Sequence, residues 1–273
     1  MKFFILPALF LTVATLQAQT PYAPDENTLF LYHFDEDDIT LPAMDASENG
    51  RHATFGPNVL VGQEALSGLG MSLMSTDNLD ARISWVDMDK ANGKDSFLYS
   101  LAEEDLTIEA WVKPTEEFAN FTSGNRFLLV VQPDGVGQVD LSVSIHAADG
   151  KYYLAVGDKS GPNRVWTHTN PLEWEIGEWY HVAITIEFAE EGHSYYTFYV
   201  SKAGDSMNPI AHYTRKHTAL EPQDEFTQQR TLEIGNYFGN YGKSFFPGQI
   251  DEVRISNIVR SEFETLLPPD SAQ

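Results

Sequence analysis

Oxygen ligands suited to a hard cation gather in two places in this sequence. The run Asp45-Ala46-Ser47-Glu48-Asn49-Gly50-Arg51-His52 packs carboxylate, hydroxyl and amide oxygens into one loop. Asp251 lies in Gln249–Ile255, a stretch of alternating apolar and polar residues. Strict alternation puts Asp251, Val253 and Ile255 on one face and Ile250, Glu252 and Arg254 on the other. With Val253 and Ile255 turned into a core, Asp251 becomes a carboxylate on the apolar side. That is costly unless hydrogen-bond donors or a cation pair with it. Calcium takes about 6–8 oxygens in flexible geometry. The expectation is one structural Ca²⁺ held by Asp45, Asn49, Asp251 and the carbonyl of His52, pinning the early loop to the closing strand. The alternative is an Asx-type turn over 45–50, with Asp251 bonded to backbone N–H groups. An EF-hand reading fails, because Gly56 stands where the loop needs Glu and no helices flank it.

Catalytic pairings are scarcer. A retaining glycosidase needs two carboxylates about 5–5.5 Å apart, which on a strand means acidic residues at i and i+2 or i+4 on one face. Glu173 and Glu175 flank Trp174 at that spacing, but Pro171 and Gly177 mark the segment as a loop. Asp35–Asp38 and the acidic run 187–191 read as solvated strand ends. The eight histidines are scattered, and none makes a helical His-x-x-x-His pair. His212 and His217 share a polar insertion that lacks the helix or cysteines of an ordinary zinc site. No nucleophile elbow, phosphate loop or dinucleotide fingerprint occurs.

Aromatic residues offer a different chemistry. The connection Asn236–Phe246 carries five rings among glycines and asparagines, and a surface connection has no core for all of them. Tyr237, Phe238, Asn240 and Tyr241 are therefore candidates to stack on and bond to sugar rings, with Trp166 and Trp174 on another long connection as second choices. A hydrophobic staple at the edge of the fold is the competing reading. Trp111 and Trp179 lie on alternating strands and read as core.

The elements that must position these residues are strands. Leu106, Ile108, Ala110 and Val112 share one face, as do Val139, Leu141, Val143 and Ile145, and Tyr180, Val182, Ile184 and Ile186. Turn clusters such as Pro133-Asp134-Gly135 and Asp149-Gly150 separate them. The one helical signal is at the tail, where Ser261 and Glu264 form a capping box ahead of Pro268-Pro269. Many strands, antiparallel turns and one core predict an all-β, antiparallel two-sheet jelly-roll sandwich.

Composition sets the outer limits. The 273 residues carry 17 Lys+Arg against 40 Asp+Glu, a formal charge of −23, which repels phosphate backbones and excludes nucleic acid as a partner. With no cysteine, disulfides, thiolate zinc sites and cysteine nucleophiles are excluded. Residues 1–18 read as a secretory signal peptide, with one lysine, an apolar run too short for a membrane span, and Ala18 at the cleavage position. No second run approaches that length. The expectation is a secreted or periplasmic bacterial product, one domain over 19–273 with its core over about 28–265 and no membrane span after leader removal.

Six segments in order resemble the laminin G-like jelly-roll family, within the concanavalin A-like lectin/glucanase superfamily. They are Thr28–Asp35, Asp45–His52, Leu106–Pro114, Gly177–Ala183, Leu232–Gly235 and Phe246–Ser256. The run Leu73–Trp85 and the polar insertion at 203–230 depart from the family pattern. The resemblance implies the same sandwich and a calcium between the early loop and the last strand. It implies a non-catalytic recognition module for a glycan or an extracellular surface protein. The alternative is a glycoside hydrolase or polysaccharide lyase of the same fold, and a purely structural adhesion domain has the same sequence features.

Overall fold

The computed structural model describes residues 21–66, 71–74, 82–86, 97–101, 104–133, 139–158, 165–189, 193–216, 229–237 and 244–263. Two antiparallel sheets hold just over half of them. The first contains β1 (Thr28–Tyr32), β3 (Leu60–Glu64), β4 (Met71–Met74), β6 (Leu106–Pro114), β11 (Tyr180–Ala189), β12 (His193–Lys202), β13 (Pro209–Lys216) and β15 (Gly248–Ser256). Its order is β13-β12-β11-β6-β15-β4-β3, with β1 also paired to β15. The second contains β2 (Thr54–Phe55), β5 (Ile83–Val86), β7 (Gly124–Pro133), β8 (Leu141–Ala148), β9 (Lys151–Asp158), β10 (Val165–His168) and β14 (Arg230–Ile234). Its order is β10-β9-β8-β7-β14-β5-β2. A short helix (Phe97–Ser100) and a 3₁₀ turn (Glu116–Asn120) are the helical pieces among the described residues.

The predicted alternation builds the core. Leu106, Ile108 and Val112 of β6 and Val182, Ile184 and Ile186 of β11 pack with Leu141, Val143 and Ile145 of β8 in one buried cluster. Each such side chain contributes about 1.5–3 kcal/mol through removal from water. Val139 departs from its expected face: it precedes β8 and joins Phe127, Val130 and Tyr237 in a separate cluster. The β8–β9 hairpin follows from its two turn residues. Asp149 (φ 52) and Gly150 (φ 70) both adopt positive φ, which a two-residue turn matching strand twist requires. Residues 1–18, and the helical turn expected after Ser261–Glu264, lie outside the described residues.

Strand β15 corrects the expected parity of Asp251. Its register with β6 slips between Asp251 and Arg254, and Glu252 within the slip has φ 48. One extra residue in the strand is a bulge, and it resets the alternation. Ile250, Val253 and Ile255 all join the core, whereas Asp251 stands opposite Trp111, on the outer face of the first sheet.

Candidate functional site

The early loop is organised around Asp45. Its Oδ1 accepts from the Leu31 and Ser47 N–H groups at 3.0 Å each. Its Oδ2 accepts from the Ser47 hydroxyl at 2.8 Å and the Arg51 N–H at 3.0 Å. A carboxylate offers about four lone-pair sites, so protein donors fill them all. The Asp45 N–H donates to His52 Nδ1 at 3.0 Å. The Asn49 amide donates to the Thr28 carbonyl at 3.0 Å and to Ser47 Oγ at 2.9 Å. Asp45, Asn49 and His52 are thus brought together as an Asx-type hub stitched to β1. Asp251 is held apart from them, because β1 pairs with β15 on one edge and with Asp45 on the other.

Asp251 has no exposed surface. Its Oδ1 accepts from the Glu252 N–H at 2.9 Å, and its Oδ2 meets no donor. Burial pushes its pKa well above the usual carboxylate value, and the charges of Glu252 and Asp35 push the same way. Among the described residues, no group of three or more His, Cys, Asp or Glu side chains is placed to share a metal.

Around Asp251, this outer face holds a closed polar network that the sequence did not reveal. Glu109 accepts from Arg254 Nε at 2.7 Å and from His181 Nε2 at 3.0 Å. Burial favours the neutral acid at Glu109, but the bonds and charges of His181 and Arg254 outweigh it and hold the pKa below the ordinary value. Tyr22 seals the network. Its hydroxyl accepts from Trp111 Nε1 at 2.8 Å, its ring lies 4.3 Å from the Arg254 guanidinium, and its N–H donates to Glu252 at 2.9 Å. All members are buried, so the network braces the sheet and offers no opening.

The outer face of the second sheet is different. Strand register stacks its residues in rungs. Asn125, His146 and Tyr153 form one; Phe127, Ser144, Ala155 and His168 the next; Val130, Ser142, Gly157 and Trp166 a third. Residues opposite each other share a face. Small residues therefore line the middle strands, and larger ones lean in over them. At the first rungs three rings converge: the centroids of Tyr153 and His168 are 5.1 Å apart, those of His146 and Tyr153 6.0 Å, and the two imidazoles stack at 6.3 Å. Asn125 Oδ1 lies 3.1 Å from His146 Nδ1. Burial, reinforced by the nearby His168, lowers the His146 pKa below the ordinary imidazole value, which favours the neutral ring. At the edge where β10 meets β13 of the first sheet, a cleft of about 240 Å³ is lined by Tyr153, His168, Asn170, Pro171 and Tyr213. The arrangement presents flat apolar faces next to neutral donors and acceptors.

At the third rung the Trp166 indole lies across Gly157. A Cβ at Gly157 would stand 2.8 Å from that ring. Of the ligand residues expected from sequence, Trp166 and Tyr237 are brought together through Phe127, at centroid distances of 6.4 and 4.9 Å. Tyr237 is buried there because an outward-facing Phe127 needs a cover. Trp174 is elsewhere: it packs against Phe118 and Tyr180 at the margin of the main core. Phe238, Asn240 and Tyr241 lie outside the described residues. Glu173 and Glu175 are exposed, and Glu175 pairs with Lys202 at 3.1 Å. Asn125, His146, Tyr153 and His168 escaped the sequence reading, although the polar positions of β8 already placed His146 outward.

A family model for laminin G-type domains, described as the concanavalin A-like lectin/glucanases superfamily, matches residues 88–264. Among solved structures, Trypanosoma rangeli sialidase in complex with 2,3-difluorosialic acid is similar, at TM-score 0.53 and 15% identity, over 88% of this chain and 32% of that one. A mutant of that sialidase displaying trans-sialidase activity aligns at TM-score 0.54, 15% identity and the same coverage, 88% and 32%. The receptor binding domain of botulinum neurotoxin mosaic serotype C/D aligns at TM-score 0.49 and 14% identity, over 86% of this chain and 48% of that one. At such identities the two sialidases show the shared fold alone. The chain covers about a third of the sialidases' length. A comparison with curated proteins finds no match. No helix among the described residues is long and apolar enough to cross a membrane.

Proposed function

We propose a glycan-recognition role for this chain, which belongs to the concanavalin A-like lectin/glucanases superfamily. The glycan site is the His146–Tyr153–His168 ring cluster on the outer face of the second sheet, with the cleft at its β10 edge. The observation that carries this reading is the convergence of three rings beside a cleft of about 240 Å³. Ring faces cover the apolar side of a sugar, while Asn125, Asn170 and the imidazoles bond its hydroxyls. Recognition rather than turnover is supported by the carboxylates of this face. Asp140 is paired with Arg230 at 2.7 Å and Glu233 with Arg82 at 3.1 Å, which occupies both carboxylates in ion pairs. Titration of neutral oligosaccharides, followed by Trp fluorescence, tests the reading. Tyr153→Ala and His168→Ala are expected to weaken binding about tenfold or more. Unchanged affinity in both variants would overturn it.

For calcium, we propose Asp251 on β15 rather than the Asp45 loop. Support comes from Asp251 Oδ2, a buried carboxylate oxygen without a donor, and the neighbouring charges of Glu252 and Asp35. A bound ion would supply the cation that this oxygen lacks. Melting with Ca²⁺ and with excess chelator is expected to differ by several degrees, and to coincide in Asp251→Asn. Coincident curves for the unaltered protein would refute the ion. The same reading has the protein exported by the leader at 1–18, so the mature product should begin at Gln19 or, with cleavage one residue later, Thr20 when sequenced from its N-terminus. An intact Met1 would contradict that delivery.

A further inference from the structure

Gln132 lies on β7, one rung beyond Ser142 and Val130. Val131 belongs to the main core and Val130 to the outer-face cluster, so alternation directs Gln132 outward on the face that carries the ring cluster. It has no exposed surface, and neither its Nε2 nor its Oε1 meets a hydrogen-bond partner. A primary amide has two donors and a two-lone-pair acceptor. Burying them unpaired destabilises a fold, and an apolar side chain of the same shape avoids that cost. The charged groups nearby do not relieve it: Asp140, whose N–H bonds the Val131 carbonyl, is taken by Arg230, and Glu233, diagonal to Gln132, by Arg82. Two anions and two cations leave the surroundings neutral overall.

We propose that Gln132 is a recognition residue whose amide takes two adjacent hydroxyls of a neutral saccharide. The N–H donates to one hydroxyl and the carbonyl accepts from the other. This rests on the glycan reading above and extends it along the same face. From the His146 rung to the Gln132 rung is about 20 Å at strand spacing, the reach of an oligosaccharide rather than a monosaccharide. Among the described residues, the cations beside Gln132, Arg82 and Arg230, are already paired, and a carboxylated sugar must approach a chain of formal charge −23. Because the amide is covered, association requires local opening and is slower than docking onto a preformed surface.

Two variants and two measurements test this. Without saccharide, Gln132→Met is expected to raise the melting temperature, since it removes the unpaired amide. A fall would mean that the amide serves the fold, and would overturn the inference. Calorimetric titration with cellotetraose, laminaritetraose and mannotetraose is expected to show binding of at least one by the unaltered protein, and about tenfold weaker binding by Gln132→Met. Gln132→Asn keeps a buried amide but withdraws it from the hydroxyls, so it should weaken binding with no gain in melting temperature. Tetrasaccharide binding that survives both substitutions overturns the Gln132 assignment and leaves the ring-cluster reading standing. Binding confined to oligouronates overturns the neutral class. Absence of any oligosaccharide binding overturns the glycan reading itself.

Discussion

Asp45 accepts four hydrogen bonds, three of them from backbone N–H groups. Replacing it with Ala leaves buried donors on Leu31 and Ser47 unpaired, and each buried unpaired donor costs about 1–3 kcal/mol. Asp45→Ala is therefore expected to lose about 3 kcal/mol in denaturant unfolding. A loss under about 1 kcal/mol would show that the hub is dispensable. The oxygen-rich run at 45–52 was legible as a special loop, but not which groups its oxygens would serve, because Leu31 lies on a strand 14 positions away. Tyr153 and His168 were hidden for the same reason. Ordinary strand residues by sequence, they become one site only when β8, β9 and β10 are laid side by side. The rings Trp166 and Tyr237 were recognisable as candidates by type, yet Phe127, which joins them, gave no signal of its own.

Elements were legible wherever alternation ran uninterrupted. Strands β6, β8 and β11 place the expected apolar residues in the core. The reading of Asp251 failed because a bulge carries no necessary sequence mark. Glu252 takes a φ that glycine or asparagine adopts more readily, and its side chain is held there by Tyr22 and His33, at 2.9 and 2.8 Å. Gly157 shows the opposite case, a residue whose smallness is used. The Trp166 ring and Ser142 Oγ would lie 2.8 and 2.9 Å from an added Cβ. Gly157→Ala is expected to lift the indole off β9, shift Trp emission to the red and cost about 1–3 kcal/mol. Unchanged emission would mean that Trp166 does not rest on that strand.

Across the whole molecule, two titrating groups set opposite limits on stability. Burial alone would lower the His33 pKa, but its bond to Glu252 and the charges of Glu252, Asp35 and Glu36 raise it. Its stabilising contribution is full below the unfolded histidine value, about 6.5, and is lost as pH rises through the folded value. Glu109 has a lowered folded pKa, so its contribution is present above the unfolded value, about 4.3, and is lost as pH falls through the folded one. Melting temperature is expected to peak between about pH 4.5 and 6.5, and His33→Gln should flatten the alkaline limb. A peak above about pH 8 would contradict the His33 assignment. The central claim is that two sheets with a shared core offer a sugar the outer face of the second, not the buried network on the first. The most direct measurement is the affinity of one neutral tetrasaccharide for the unaltered protein and for Tyr153→Ala, with Lys113→Ala on the first sheet as the control. Loss of binding in Tyr153→Ala alone is the expected result. Equal affinity in all three proteins would contradict it.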